Sequence, residues 1–409
     1  MLPSRAVRSK SSCSVRCFDT VEEQQQALFA SLFFLPVTAE QQAQRAEADA
    51  AFAASCGRRA GQLLDHVSTA DVARDLDVLR AAVGDPRLNY IGYSYGTFLG
   101  STYSALFGQR AGRMVADGVF DPEDYVSGPP ESTTYPRLGN DLGTSATFGE
   151  FLRLCDEAGQ GCAFSAGDPA ATFARIAERL RSSGPVEVPV PPDGKPVPVD
   201  YGTLVSSTTG GLYNPADWPR LGQFLEEVRA TIDGTPTPLL SSGPVPPPDY
   251  ENYFEVNQAV VCTDTDEPAD PAAWPRYAAQ RDAVTPYFGS HWTYLTSPCA
   301  HWPGKAQDRY TGPFTAAAEP PLIIGTRFDP ATPYESAVEL HEALPGSALL
   351  TLEGRGHTAA RVGSSCVDAA VTRYLVDGEL PASGATCAPN AAPFSSPAPT
   401  AEPMPRIGP

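Results

Sequence analysis

Long apolar runs are missing from this 409-residue sequence, so no segment reads as a membrane-spanning helix. Positive charge is scarce: 29 Lys and Arg face 48 Asp and Glu, for a net charge of −19. A balance of that sign excludes nucleic acid and an anionic membrane surface as partners. It serves solubility, or attracts a cationic group such as a peptide amino terminus. The nine cysteines include no Cys-x-x-Cys pair and no Cys/His cluster at zinc spacing, which excludes a zinc module; no metal and no organic cofactor is implied. Internal repeats are absent. Met1 to Lys10 is basic, but no apolar segment follows it as in an export signal. Leu28 to Val37 is apolar yet short, and sits inside a glutamine-rich helical pattern. Dispersed cysteines favour disulfides and an oxidising compartment, extracellular or cell-envelope. The amino terminus carries no such address, so the first residue reads as something other than the natural start.

What is present is a globular composition, 42% apolar, organised around Asn89-Tyr90-Ile91-Gly92-Tyr93-Ser94-Tyr95-Gly96-Thr97. An apolar run from Leu88 to Ile91 leads in, and a small-residue apolar run from Thr97 to Phe107, without proline, leads out. Gly-x-Ser-x-Gly between a strand and a helix is the pattern of a nucleophile elbow. The bare pattern occurs by chance roughly 0.2 times in such a chain, so the flanking elements carry the signal. The turn holds the serine in a strained conformation, and side chains at Gly92 or Gly96 would meet the strand or helix. The Tyr95 N–H, at the helix start, would face a developing oxyanion.

Read in order, Phe18 to Gly61 is helical with a break near Pro36. A helix capped by Ser68 or Thr69 follows, its apolar face formed by Val72, Leu76, Leu79 and Val83. Arg113 to Val119 is a buried strand, so strand, helix and strand form a parallel βαβ unit. Residues 1–124 are thus the first part of an α/β core. From Tyr125 the texture changes: helical segments (148–155, 170–181, 218–232, 272–284) alternate with proline-rich connections, including an exposed valine–proline hairpin over 185–198 and a loop from Ser241 to Asp249. Residues 125–312 read as an inserted, largely helical lid. Regular texture returns over 313–388, with strands at 321–326 and 348–352 and helices at 332–344 and 364–377. Residues 389–409 are a Pro/Ala-rich tail.

A serine hydroxyl needs a histidine to take its proton, and the histidine needs an acid to orient it. Asp329, in Thr326-Arg327-Phe328-Asp329-Pro330, and His357, in Gly354-Arg355-Gly356-His357-Thr358, each follow a predicted strand. The order Ser94, Asp329, His357 is that of an α/β-hydrolase, and all three loops leave carboxyl ends of parallel strands, where such sheets bind ligands. The bland readings are a helix cap for Asp329 and a surface loop for His357; Asp121 is the rival acid. His66 and His341 lie in helical patterns, and His291 and His301 in the lid read as structural.

The segments Gly92 to Thr97, Ala259 to Asp264, Cys299 to Pro303, Gly325 to Pro333 and Gly354 to Ala359 resemble the secreted actinobacterial tripeptidyl aminopeptidases, α/β-hydrolases of prolyl-aminopeptidase type with a characteristic carboxy-terminal region. The match covers roughly Cys17 to Cys387. It implies a serine exopeptidase that removes short peptides from free amino termini, with Ser94, Asp329 and His357 as triad. It also implies lid acids that hold the substrate's amino group; Glu255, Asp264 and Asp266 are candidates, each also readable as a solvated acid. The resemblance, with the spacing, implies the pairs Cys17–Cys56, Cys155–Cys162, Cys262–Cys299 and Cys366–Cys387, leaving Cys13 odd. One departure stands out. The family carries a glycine-rich oxyanion loop and flanking strands ahead of the segment matching Cys17, and nothing before Ser94 resembles it. Tyr95 N–H is then the one obvious oxyanion donor, and losing a donor typically costs about 10²–10³ in kcat. Strand Leu88–Tyr93 is expected to present an unpaired edge. The alternatives are an impaired homologue or a binding module on the same scaffold, or an esterase.

Overall fold

The computed structural model describes residues 15–190, 195–235, 250–306, 308–314 and 318–395; Cys13, the Ser241–Asp249 loop and the tail after residue 395 lie outside them. Its centre is a five-stranded sheet in the order β1-β2-β5-β6-β7, formed by Leu88–Tyr93, Ala111–Asp117, Leu322–Phe328, Ala348–Arg355 and Thr386–Cys387. Every neighbouring pair in it is parallel. The fifth strand, β7, has no signal beyond two residues, and sequence reading placed none there. The apolar β5 and β6 are buried on both faces, as a helix-covered parallel sheet requires.

Between β2 and β5 the chain leaves the sheet. It builds the helices Asn140–Ala158, Pro169–Ser183, Tyr201–Leu212, Trp218–Ile232, Tyr253–Asp264, Trp274–Asp282 and Phe288–Tyr294, together with the two-stranded antiparallel hairpin Val186–Val190 and Lys195–Val199 (β3, β4). Three of these helices escape a reading of pattern: Tyr201–Leu212 carries Gly, Ser and Thr, Tyr253–Asp264 has little amphipathicity, and Phe288–Tyr294 is two turns long and buried all round. Their common core contains Phe148, Phe151, Phe173, Trp218, Phe288 and Trp292 and runs on to Phe98 of the helix after Ser94. Residues 389–395 belong to this body: Phe394 packs against Phe151 and Trp218. The described start of the Pro/Ala-rich stretch is therefore anchored.

The four expected disulfides are formed. Cys366–Cys387 staples the helix Ser365–Asp377 to β7. β1 is the sheet edge, paired with β2 alone. Beside it, the helix Thr69–Ala82 buries Ala70 and Ala73 instead of the expected face. Leu79 and Val83 are 60% and 70% exposed, with Val78 at 66%. The amphipathic pattern holds for half of its length: Val72 and Leu76 are half-buried, Leu76 packing with Ala73 against Tyr103 of the helix Tyr95–Phe107, while none of the described elements covers Leu79 and Val83.

Candidate active site

Ser94 caps the helix Tyr95–Phe107 at φ 54° and ψ −126°, a region that L-residues enter only under constraint. Two contacts hold it there: Ser94 N–H donates to the Asp117 carbonyl at 3.0 Å, and the Ser94 carbonyl accepts from Thr97 N–H at 2.8 Å and Thr97 Oγ1 at 2.7 Å. Gly92 cannot be replaced, since a Cβ there would stand 2.3 Å from the Gly96 carbonyl oxygen. Tyr95 N–H is the first amide of the helix and has no carbonyl one turn back to bond. Its ring packs at a tilt against Phe98 and Tyr125, and its hydroxyl meets Thr69 Oγ1.

Asp329 and His357 are joined. Asp329 follows β5, His357 follows β6, and Nδ1 lies 2.9 and 3.1 Å from the two Asp329 oxygens. The carboxylate is 1% exposed and also accepts from Ala331 N, Thr332 N and Thr332 Oγ1 at 2.8 Å each and from Thr358 N at 3.2 Å. It does tether the turn before the helix Tyr334–Ala343, and it orients the imidazole as well. His357 N–H donates to the Tyr213 carbonyl at 2.8 Å, and the Tyr213 ring meets the imidazole edge-on at 5.1 Å. The ring is thereby held from a lid residue as well as from the sheet. Gly118, directly after the residue that binds Ser94 N–H, lies against the imidazole: a Cβ there would sit 3.4 Å from His357 Cε1. The serine elbow and the histidine loop therefore share one neighbour. Among the described residues Ser94 Oγ makes no hydrogen bond to His357 Nε2; in the absence of substrate such contacts are commonly long and close on binding.

Burial pulls the His357 imidazolium down; the Asp329 charge and hydrogen bond, aided by Asp117, outweigh it, so the pKa is raised above 6.5. A general base must be neutral, so with His357 in that role the raised value would move the loss of activity to higher pH. The acid limb of kcat/KM is expected to have its midpoint above 6.5, and a pH profile of the free enzyme checks it.

The rival acid Asp121 caps the short helix Pro122–Val126, accepting from Glu123 N and Asp124 N at 2.9 Å. His66 is exposed, and His341 Nδ1 pairs with Ser347 Oγ at 2.8 Å. His291 is buried among lid residues, where burial and then the Arg45 charge lower its pKa to about 4.

The three acids expected to meet an amino group are all engaged internally. Glu255 is fully buried and accepts from Cys17 N at 2.6 Å, Tyr250 OH at 2.5 Å and Gln24 Nε2 at 2.8 Å, anchoring the segment near Cys17. Asp264 accepts from Thr69 N at 2.9 Å and Thr69 Oγ1 at 2.5 Å, and so supports the contact that holds Tyr95. Asp266 is exposed and pairs with Arg309 at 2.5 Å. The next residue, Glu267, differs. Its Oε1 accepts from Thr134 N at 3.1 Å; no described residue meets its enclosed Oε2 at good hydrogen-bond geometry, while the Thr134 and Thr296 hydroxyls and the Arg137 charge act on the carboxylate. Burial pushes it up to about 7, and its charge is felt at Tyr125 and Tyr135. Tyr125 packs on Tyr95, and Tyr135 is electrostatically coupled to Tyr213. Sequence reading did not single out Glu267, because nothing in the local pattern distinguishes it from the acids around it.

Residues 44–165 match the family model of the alpha/beta hydrolase fold, and residues 278–387 that of TAP-like proteins. The chain is 31% identical over 349 residues to a tripeptidyl aminopeptidase of Streptomyces lividans, an alignment covering 84% of this chain and 62% of that protein. It is 32% identical over 352 residues to the serine protease Hip1 of Mycobacterium tuberculosis, covering 82% and 65%. A carboxylesterase B of the same species is 34% identical over 348 residues, covering 82% and 64%. The chain thus spans somewhat less than two thirds of the length of these relatives.

Proposed function

The chain belongs to the α/β hydrolases with a TAP-like carboxy-terminal region, and on that premise we propose that it is a serine peptidase releasing short peptides, tripeptides among them, from free amino termini. The observation that carries this reading is the Asp329–His357 pair on two strand ends of a sheet whose third strand end presents Ser94 in an elbow. Ser94 Oγ attacks the scissile carbonyl. His357 takes its proton and returns it to the leaving amine, Asp329 holds the Nδ1–H tautomer, and the Tyr95 N–H faces the oxyanion. Water then releases the acyl group by the same proton path. The unfilled Glu267 Oε2 receives the substrate's α-ammonium, in place of Glu255, Asp264 and Asp266, whose partners are already supplied. The four disulfides fit an extracellular or envelope location.

A fluorophosphonate probe tests the nucleophile: labelling at Ser94, abolished in Ser94→Ala, is the expected result, and a folded protein that takes no label contradicts it. Substrate choice is tested with a tripeptidyl anilide and its N-acetylated counterpart. The free amine is cleaved and the blocked one is not. Glu267→Gln raises KM for the free amine about 10- to 100-fold, the worth of one charge-assisted hydrogen bond, and leaves simple esters unaffected. The carboxylesterase relative favours a second reading, an esterase with the same triad; efficient turnover of simple esters beside inert peptides selects it.

A further inference from the structure

Resting on the triad reading above, we infer that Asp117 is a positioning residue that ties the histidine loop to the serine elbow. It is the last residue of β2, between Tyr93 of β1 and Ile324 of β5, and it is completely buried. Its carbonyl accepts the Ser94 N–H at 3.0 Å. Its carboxylate reaches the other way, across 242 residues of chain: Oδ1 and Oδ2 each accept from Ala359 N–H at 3.0 Å, and Oδ2 accepts from Ala360 N–H at 2.7 Å. One residue therefore grips the backbone of the nucleophile and the backbone two and three positions beyond the base.

The gripped loop is strained. Thr358 at φ 67° and Arg361 at φ 65° are non-glycine residues in the left-handed region, and the two alanines bound by Asp117 lie between them. Such residues are strained and persist only where their surroundings impose them. The imposing contacts come from two carboxylates. Asp329 takes the amide of Thr358, and Asp117 takes the next two. Three successive N–H groups are thus shared between the acid that faces the imidazole and one that lies behind it.

Asp117 also acts through charge. The groups that face it are Asp329 after the neighbouring β5, His357 after β6 and Tyr93 from β1. Burial pushes the Asp117 carboxyl up to about 7, the amides of Ala360 and Ala359 hold it back, and Asp329 raises it further while His357 lowers it. Its effect on His357 is in turn to favour the imidazolium.

Asp117→Asn keeps the volume, removes the charge and turns a donor toward one of the alanine amides. The expected result is a His357 titration midpoint displaced to lower pH, read by NMR of the imidazoles; there are five histidines, and His357→Asn assigns the signal. On a peptide substrate kcat falls about 10- to 100-fold with KM within about twofold, the cost of a misplaced base. A role in packing alone would lower thermal stability and leave the His357 midpoint in place; that outcome, or unchanged kcat and midpoint together, overturns the inference. In the unmodified protein the Ala359 and Ala360 amides are expected to be protected from hydrogen exchange, and rapid exchange at both in the folded state overturns it even where the variant does not fold. Neither NMR readout needs turnover. Absent fluorophosphonate labelling beside a displaced midpoint therefore refutes the peptidase reading and leaves the positioning role standing.

Discussion

Ser94→Ala is expected to lower kcat/KM by about 10⁴–10⁶-fold while leaving the fold unchanged. Removing a serine nucleophile leaves only whatever catalysis the binding site and oxyanion donors supply, and the members of a triad act as a unit. The cavity left by one hydroxyl is negligible, and Ser94 Oγ holds no other element in place: the elbow is fixed by its main chain, through Asp117, Thr97 and the steric demand at Gly92. Asp329→Asn is expected to cost about 10⁴-fold, because an amide facing Nδ1 no longer selects the tautomer that leaves Nε2 free to accept. It also disturbs the turn amides of Ala331 and Thr332 that the carboxylate accepts, so some loss of stability accompanies it. Hydrolysis of a tripeptidyl anilide, with circular dichroism as the control for folding, checks both. Residual activity in Ser94→Ala above about one part in a thousand would remove the nucleophile from the mechanism.

Arg45→Met is expected to destabilise the protein by about 3–5 kcal/mol, the cost of leaving a buried partner charge uncompensated. Arg45 is 1% exposed in the middle of the helix Ala39–Ala60. Its Nε donates to Asp49 at 2.8 Å, one terminal nitrogen to the Phe34 carbonyl at 2.7 Å, and the other to Ser297 Oγ at 2.9 Å and to the Tyr294 carbonyl. Asp49 in turn accepts from Ser31 Oγ at 2.7 Å and Ser297 Oγ at 2.5 Å. The network ties the amino-terminal helices to the lid turn near Cys299. Burial raises the Asp49 pKa and the Arg45 charge opposes the rise, so an Arg45 variant strands an acid that must protonate or unfold its surroundings. Arg45→Met with Asp49→Leu is expected to recover most of the loss, since a well-packed apolar pair replaces a buried ion pair at little cost. Urea unfolding of the three variants measures it, and a double variant no more stable than the single one counts against the account.

Arg45 shows where the reading of pattern stops. Glutamine, glutamate and alanine around it mark a solvated helix, and the helix is where it was expected. Which of its charged residues turns inward depends on the lid strand of chain some 250 residues away. Glu267 and Asp117 are the same case: each is one acid among 48, and only enclosure makes it chemically distinct. The three candidate residues stood out in the sequence for the opposite reason. Ser94, Asp329 and His357 each sit just beyond an apolar strand, within two residues of glycine or proline, so local chain geometry aims them at one rim.

The amino-acid sequence alone marked the elbow turn, the strands that end at Asp329 and His357 and the break in α/β texture between β2 and β5, because each depends on periodicity, turn chemistry or a recurring local motif; the cysteine pairs came from the family resemblance together with their spacing. The tertiary structure decided which carboxylates are enclosed and what they bond, which part of the helix before β1 is left exposed, and that the backbones of Ser94 and the His357 loop hang on one residue. Those outcomes follow from desolvation and from contacts between segments hundreds of residues apart, which no local pattern encodes.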